Sequence, residues 1–203
     1  MTAGLIAADT ATTIYHPVRL RAPAILIGTG LGGFVDGIVL HQVFQAHHML
    51  SNAGGDRLGL VPQSVDTVDG LRVNTLWDGL FHISAYLCVL AGLFWLWQRW
   101  RSTVTERAPW SLLIGGLLAG WGVFNLVEGV VNHHVLAIHH VYDDDLQWLW
   151  DLSFLAVGAA LLGLGLRLTR EPDPDSADPD SADPDSADQV YTSSGRGMRQ
   201  RHG

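Results

Sequence analysis

The chain has 203 residues, and its 12 basic residues, all arginine, stand against 20 acids for a net charge of −8. Eight of the acids and three of the arginines lie from residue 171 onward, so the first 170 residues carry a net charge of only −3. No basic surface remains to neutralise a nucleic-acid backbone, and a single cysteine, Cys88, excludes a disulfide scaffold or a cysteine-based zinc site. Low charge with 23 glycines and 8 tryptophans points to a membrane protein of one domain.

Four apolar stretches reach spanning length, at 22–46, 76–97, 110–131 and 149–168; a helix needs about 20 apolar residues to cross a hydrocarbon layer of about 30 Å. Soluble bundle helices would carry charged outer faces, and these four segments have almost none. The expected fold is all-α: an integral membrane four-helix bundle of two tandem two-helix repeats, with a disordered acidic tail. Residues 1–21 read as a cytoplasmic N-terminal segment without a cleaved signal peptide, 22–168 as the transmembrane domain and 171–203 as the tail. Within that tail, 173–187 is three copies of Asp-Pro-Asp-Ser-Ala, in which recurring proline blocks helix and like charges repel.

Arginine placement orients the chain. Arg19, Arg21, Arg99, Arg101, Arg107, Arg167 and Arg170 flank one end of the helices, and only Arg57 and Arg72 the other. The positive-inside bias puts both termini in the cytoplasm of a multi-pass plasma-membrane protein. Trp77, Trp148 and Trp150 mark the outer interface; Trp95, Trp97, Trp100 and Trp110 mark the inner one.

The most informative feature is a repeat at an offset of 92 residues. Residues 36–48 read DGIVLHQVFQAHH and 128–140 read EGVVNHHVLAIHH, with six of thirteen positions identical. Asp36/Glu128, His41/His133, His47/His139 and His48/His140 correspond, as do Gly28/Gly120 and Gly30/Gly122. WDGLF at 77–81 and WDLSF at 150–154 echo each other more weakly and pair Asp78 with Asp151. Shared apolar composition explains matched valines, not matched carboxylates and imidazoles.

Orientation and repeat gather these groups at the outer end. Asp78 and His82, four apart, are expected to share a helix face; so are His41 and His48, and His133 and His140, if their helices continue. Glycines 37, 79 and 129, each following a carboxylate, read as close-packing positions. An ionised carboxylate at membrane depth is costly unless paired, so the cluster reads as functional. Imidazoles with carboxylates form a metal shell. The ligand candidates are His41, His47, His48, His82, His133, His139 and His140, with Asp36, Asp78, Glu128 and Asp151 as ligands or their acceptors. Copper is favoured over iron or zinc. So many groups imply a dinuclear site or two symmetry-related ones.

The motifs VDGIVLHQ, HHML, LWDGLFH and NLVEGVVNHHVLAIHHV resemble a prokaryotic family of predicted four-helix membrane proteins, domain-of-unknown-function family twenty-two forty-three, over about residues 22–168. The resemblance implies a membrane four-helix domain and a partner among respiratory copper oxidases or their assembly factors, besides the lipid bilayer. Membrane desaturases carry HxxHH boxes on the cytoplasmic face, which this chain lacks. Asp78-x-x-x-His82 is similar to a copper-binding element in the third subunit of copper membrane monooxygenases, a match of two residues.

The leading expectation is therefore an outward-facing metal centre in metal handling or respiratory redox work. A membrane oxidoreductase with a dinuclear copper or iron site is the enzymatic alternative, and a bundle with haem between imidazoles a further one. A proton path is disfavoured because the inner halves of the helices lack ionisable groups.

Overall fold

The structure, a computed structural model, describes residues 18–51, 61–102 and 110–170. The acidic tail, most of the N-terminal segment, Arg57 and Arg107 lie outside them. Four helices carry the described chain: α1 (Val18–Val35), extended by a π-helical segment Asp36–Val43; α2 (Val68–Ser102); α3 (Trp110–Glu128), extended by a π-helical segment Gly129–Val135; and α4 (Gln147–Leu168). All four are long and apolar enough to cross a membrane. The first and third continue through their π segments as far as Val43 and Val135.

The four do not close into a ring. α1 packs against both α2 and α3, α3 packs against α4, and among the described residues α2 and α4 do not touch. α1 and α3 are thus the central pair, and α2 and α4 turn most of their surface outward, with exposed leucines and tryptophans along their length. In lipid such faces need no cover, and helix association rests on close packing. Glycine supplies it. A Cβ on Gly28 would collide with the carbonyl of Leu117, and one on Gly120 with the carbonyl of Ile25. Gly30 and Gly122 likewise lie against the backbones of α2 and α4, at Ala85 and at Gly158 and Leu162.

These contacts correspond across the two hairpins, at an offset of 92 residues on α1 and α3 and of 73 on α2 and α4. Gly37 packs on Phe81 and His82, where Gly129 packs on Phe154 and Leu155. Gly79 differs from its expected packing role: a Cβ there would meet nothing within 4 Å.

α2 begins at Val68, eight residues before the apolar run suggests. Its 35 residues extend about 52 Å, so it stands well beyond a hydrocarbon layer of about 30 Å. Asn74, fully buried in this outlying part, is the reason it holds. Its side chain donates to the carbonyls of Gln63 (2.7 Å) and Gly70 (3.1 Å) and accepts from Leu50 N–H (3.0 Å). The loop after the first hairpin helix is thereby tied to α2. At the opposite end Arg21 donates to the carbonyl of Thr169, joining the start of α1 to the end of α4.

Candidate metal centre

α1 and α3 end in the same way. The helical bond widens to five residues at Phe44 N–H to Val39 O (2.9 Å) and Leu136 N–H to Val131 O (2.7 Å). It widens again at Ala46 N–H to Leu40 O and Ile138 N–H to Asn132 O. Between these bonds Gln45 (φ 48°) and Ala137 (φ 49°) take the left-handed conformation, which costs a non-glycine residue about 1–2 kcal/mol. Wide turns inside helices are frequent at functional sites. Here they reverse the chain, so that His47 and His139 come back over the helix ends instead of continuing along them. The helices end at Val43 and Val135, so the condition under which His41 and His48, or His133 and His140, would share one helical face is not met. Each pair meets on one carboxylate instead.

That carboxylate is Asp78 in the first hairpin and Asp151 in the second. Asp78 accepts from His41 Nδ1 (2.9 Å), His48 Nδ1 (2.7 Å) and the backbone N–H of Met49 (3.0 Å). Asp151 accepts from His140 Nδ1 (2.7 Å) and the N–H of Val141 (3.0 Å), with His133 Nδ1 3.3 Å away. His41 lies over Phe81, centroids 5.7 Å apart, and His133 near Phe154 at 5.4 Å.

The returning histidines tie the hairpins to each other. His47 Nδ1 donates to the carbonyl of Val141 (3.0 Å), and His139 Nδ1 to that of Met49 (3.3 Å). Their rings stack 4.6 Å apart and 7° from parallel. Burial, then the neighbouring His139 and His41, push the His47 imidazole down to about 2, so it stays neutral.

A carbonyl only accepts, so Nδ1 carries the hydrogen on His47 and His139, and the same tautomer suits His41 facing Asp78. The Nε2 atoms of two of these rings face further carboxylates: His41 Nε2 is 3.3 Å from Asp36 Oδ2, and His139 Nε2 is hydrogen-bonded to Glu128 Oε1 at 3.2 Å. Six of the eight buried side-chain polar atoms without a hydrogen-bond partner, among the described residues, lie in this pocket: Asp36 Oδ2, His41 Nε2, His47 Nε2, Glu128 Oε2 and both ring nitrogens of His133. Each such atom costs about 1–3 kcal/mol. A cation held among these atoms, whether a ring proton or a metal ion, satisfies them. One ligand atom from each of His41, His47 and His139 lie within 4.8 Å of one another, as do those of Glu128, His133 and His139.

The structure thus gathers Asp36, His41, His47, Glu128, His133 and His139, with Asp78 and Asp151 orienting from behind. His48 and His140 reach only the far oxygens of those aspartates and keep some exposure. His82 departs from expectation. It lies on the same α2 face as Asp78, but its Nδ1 donates to the backbone carbonyl of Asp78 (2.7 Å) and its ring sits beside Gly37, Phe34 and Phe81. Sequence reasoning missed Asn74, where the second hairpin has Gln147. It lies one helical turn before Asp78, and its partner Leu50 adjoins Met49, which Asp78 holds. A buried asparagine four residues before a buried acid was the available signal.

A family model described as predicted membrane protein (DUF2243) matches residues 23–172, and the chain belongs to that family. No curated protein and no solved structure matches it.

Proposed function

We propose that this DUF2243 membrane protein holds a transition-metal centre at the extracytoplasmic end of its four helices, with copper favoured, and works in metal handling or respiratory redox chemistry. One observation carries the reading. The buried Nε2 atoms of His41 and His47 have no hydrogen-bond partner, and one ring nitrogen from each of His41, His47 and His139 converge within 4.8 Å, beside carboxylates whose ion-pair partners among the described residues are histidines. A mixed imidazole and carboxylate set suits copper, iron or zinc, and copper binds such sites most tightly among divalent first-row ions. Asp78 and Asp151 supply the acceptor that a ligating histidine ordinarily has behind it. The edge-on imidazole pairs His41/His47 and His133/His139, with centroids 4.3 and 4.9 Å apart, suit a shared ion better than a haem.

The extracytoplasmic location rests on the arginine bias, which also puts both termini in the cytoplasm of the plasma membrane. A respiratory oxidase or its assembly factors is the partner class that suits a copper centre facing that side. Elemental analysis of the protein purified from copper- and iron-replete cells tests the proposal. Bound copper or iron, reduced in His47→Ala and in His139→Ala and absent when both are changed, is the expected result. A protein purified intact and free of transition metal overturns it.

A second reading, a membrane oxidoreductase, is favoured by the inequality of the two halves. His82 stands where the second hairpin has Leu155, and His134 where the first has Gln42. In that case purified protein would oxidise or reduce a small or lipid-soluble substrate only when metal-loaded.

A further inference from the structure

The donors fall into two tight groups that meet at His139. Each hairpin brings a carboxylate and two imidazoles: Asp36, His41 and His47 from the first, Glu128, His133 and His139 from the second. The group Glu128, His133 and His139 has its ligand atoms within 4.8 Å of one another and comes entirely from one hairpin. Its counterpart at the 92-residue offset has His41 Nε2 3.3 Å from Asp36 Oδ2, and His47 joins His41 in the other tight group, where His139 of the second hairpin abuts them. Six inward-facing donors exceed the roughly four that a zinc- or copper-sized ion takes from such residues.

The carboxylates point the same way. Asp36, Asp78, Glu128 and Asp151 are all nearly inaccessible, and their ion-pair partners among the described residues are histidines of their own hairpin alone. A buried carboxylate needs a cation or hydrogen bonds beside it, and that need arises once in each hairpin.

We infer that the centre is a pair of divalent first-row transition-metal sites, one per hairpin, built from Asp36, His41 and His47 and from Glu128, His133 and His139. The inference rests on the metal-centre reading above. The stacked His47 and His139 rings, each hydrogen-bonded to the other hairpin's backbone, hold the two sites side by side. His82 and His134, which have no histidine counterpart, take no part.

Metal stoichiometry on the purified full chain, loaded with copper and freed of excess, separates the possibilities. Two ions per chain are expected, with one retained in His41→Ala and one in His133→Ala, each checked for a single monodisperse species. If either alanine variant aggregates, His41→Gln or His133→Gln replaces it. The double variant His82→Leu, His134→Gln, which gives both positions the residue of the other hairpin, is expected to keep two. One ion in the unaltered chain, lost entirely in either single variant, means a single shared ion: the pair is overturned and the metal centre stands. Two ions falling to one in the double variant places the second outside the matched set and also overturns the pair. No ion in the unaltered chain removes both readings.

Discussion

His47 and His139 stack face to face at 4.6 Å, each donating its Nδ1 hydrogen to a backbone carbonyl of the other's hairpin. The bonds span 94 and 90 residues of sequence, so this exchange clasps the two halves at the site end. Removing either imidazole leaves a buried carbonyl unpaired, at a cost of about 1–3 kcal/mol. Because the rings touch, His47→Ala and His139→Ala are expected to be non-additive. A double-mutant cycle on unfolding in detergent should return a coupling of about 0.5–3 kcal/mol. Strict additivity would mean that the rings do not meet.

Asp78 and Asp151 act through the imidazoles they orient. Asp78→Asn keeps the shape but weakens the acceptor behind His41, and Asp151→Asn does so near His133. Losing such a supporting partner lowers metal affinity about 10–100-fold. A competition titration against a chelator of known affinity measures it, and an unchanged affinity in both variants contradicts the supporting role.

Acid should loosen the fold in a definite window. The His47 imidazole has an ordinary value of 6.5 and is pushed to about 2 in the folded chain by burial and by its neighbours His139 and His41. The unfolded chain therefore takes up this proton near pH 6.5 and the folded chain only near pH 2. Stability from this group is complete above pH 6.5 and falls as the pH drops from there toward 2. Thermal midpoints from pH 7 to pH 4 should decline less steeply in His47→Gln than in the unaltered chain. Equal slopes would show that the folded chain protonates His47 normally.

Gly28 and Gly79 should respond oppositely to alanine. A Cβ at Gly28 strikes the Leu117 carbonyl, and forcing a methyl into a tight contact costs about 1–3 kcal/mol. At Gly79 a Cβ meets nothing within 4 Å, and alanine gains up to about 1 kcal/mol of helix propensity. Unfolding of the two variants in one detergent compares them, and the same sign for both would contradict the packing.

Asn74→Ala leaves the Leu50 N–H without its acceptor and the Gln63 carbonyl without its donor. Both belong to the connection between the first two helices. Faster proteolysis there is expected, with the helices intact by circular dichroism. Cleavage at the unaltered rate would show that the connection is held otherwise.

The spans were legible because hydropathy is a property of the local sequence. Each of the four apolar runs became a helix; the first stops at Val43, short of residue 46, and the second starts at Val68, where Asn74 finds buried partners. The matched positions of Asp36 with Glu128 and of the three histidine pairs were also visible, since side-chain identity survives in the letters. His82 misled because a spacing of four places residues on one face without saying whether the ring reaches a carboxylate or its own helix's carbonyl.

From the sequence alone came the four apolar helices, the crowding of acids and imidazoles at one end, and the correspondence between halves. Which nitrogen each histidine spends, and on what, was decided only by the fold. The partners of His47 and His139 are carbonyls of Val141 and Met49, groups that every residue carries and that leave no mark in a sequence. Nor does composition announce the reversal at Gln45 and Ala137. A left-handed turn at two residues that do not favour it is held by tertiary contacts, and it is this turn that aims the lone pairs into one pocket.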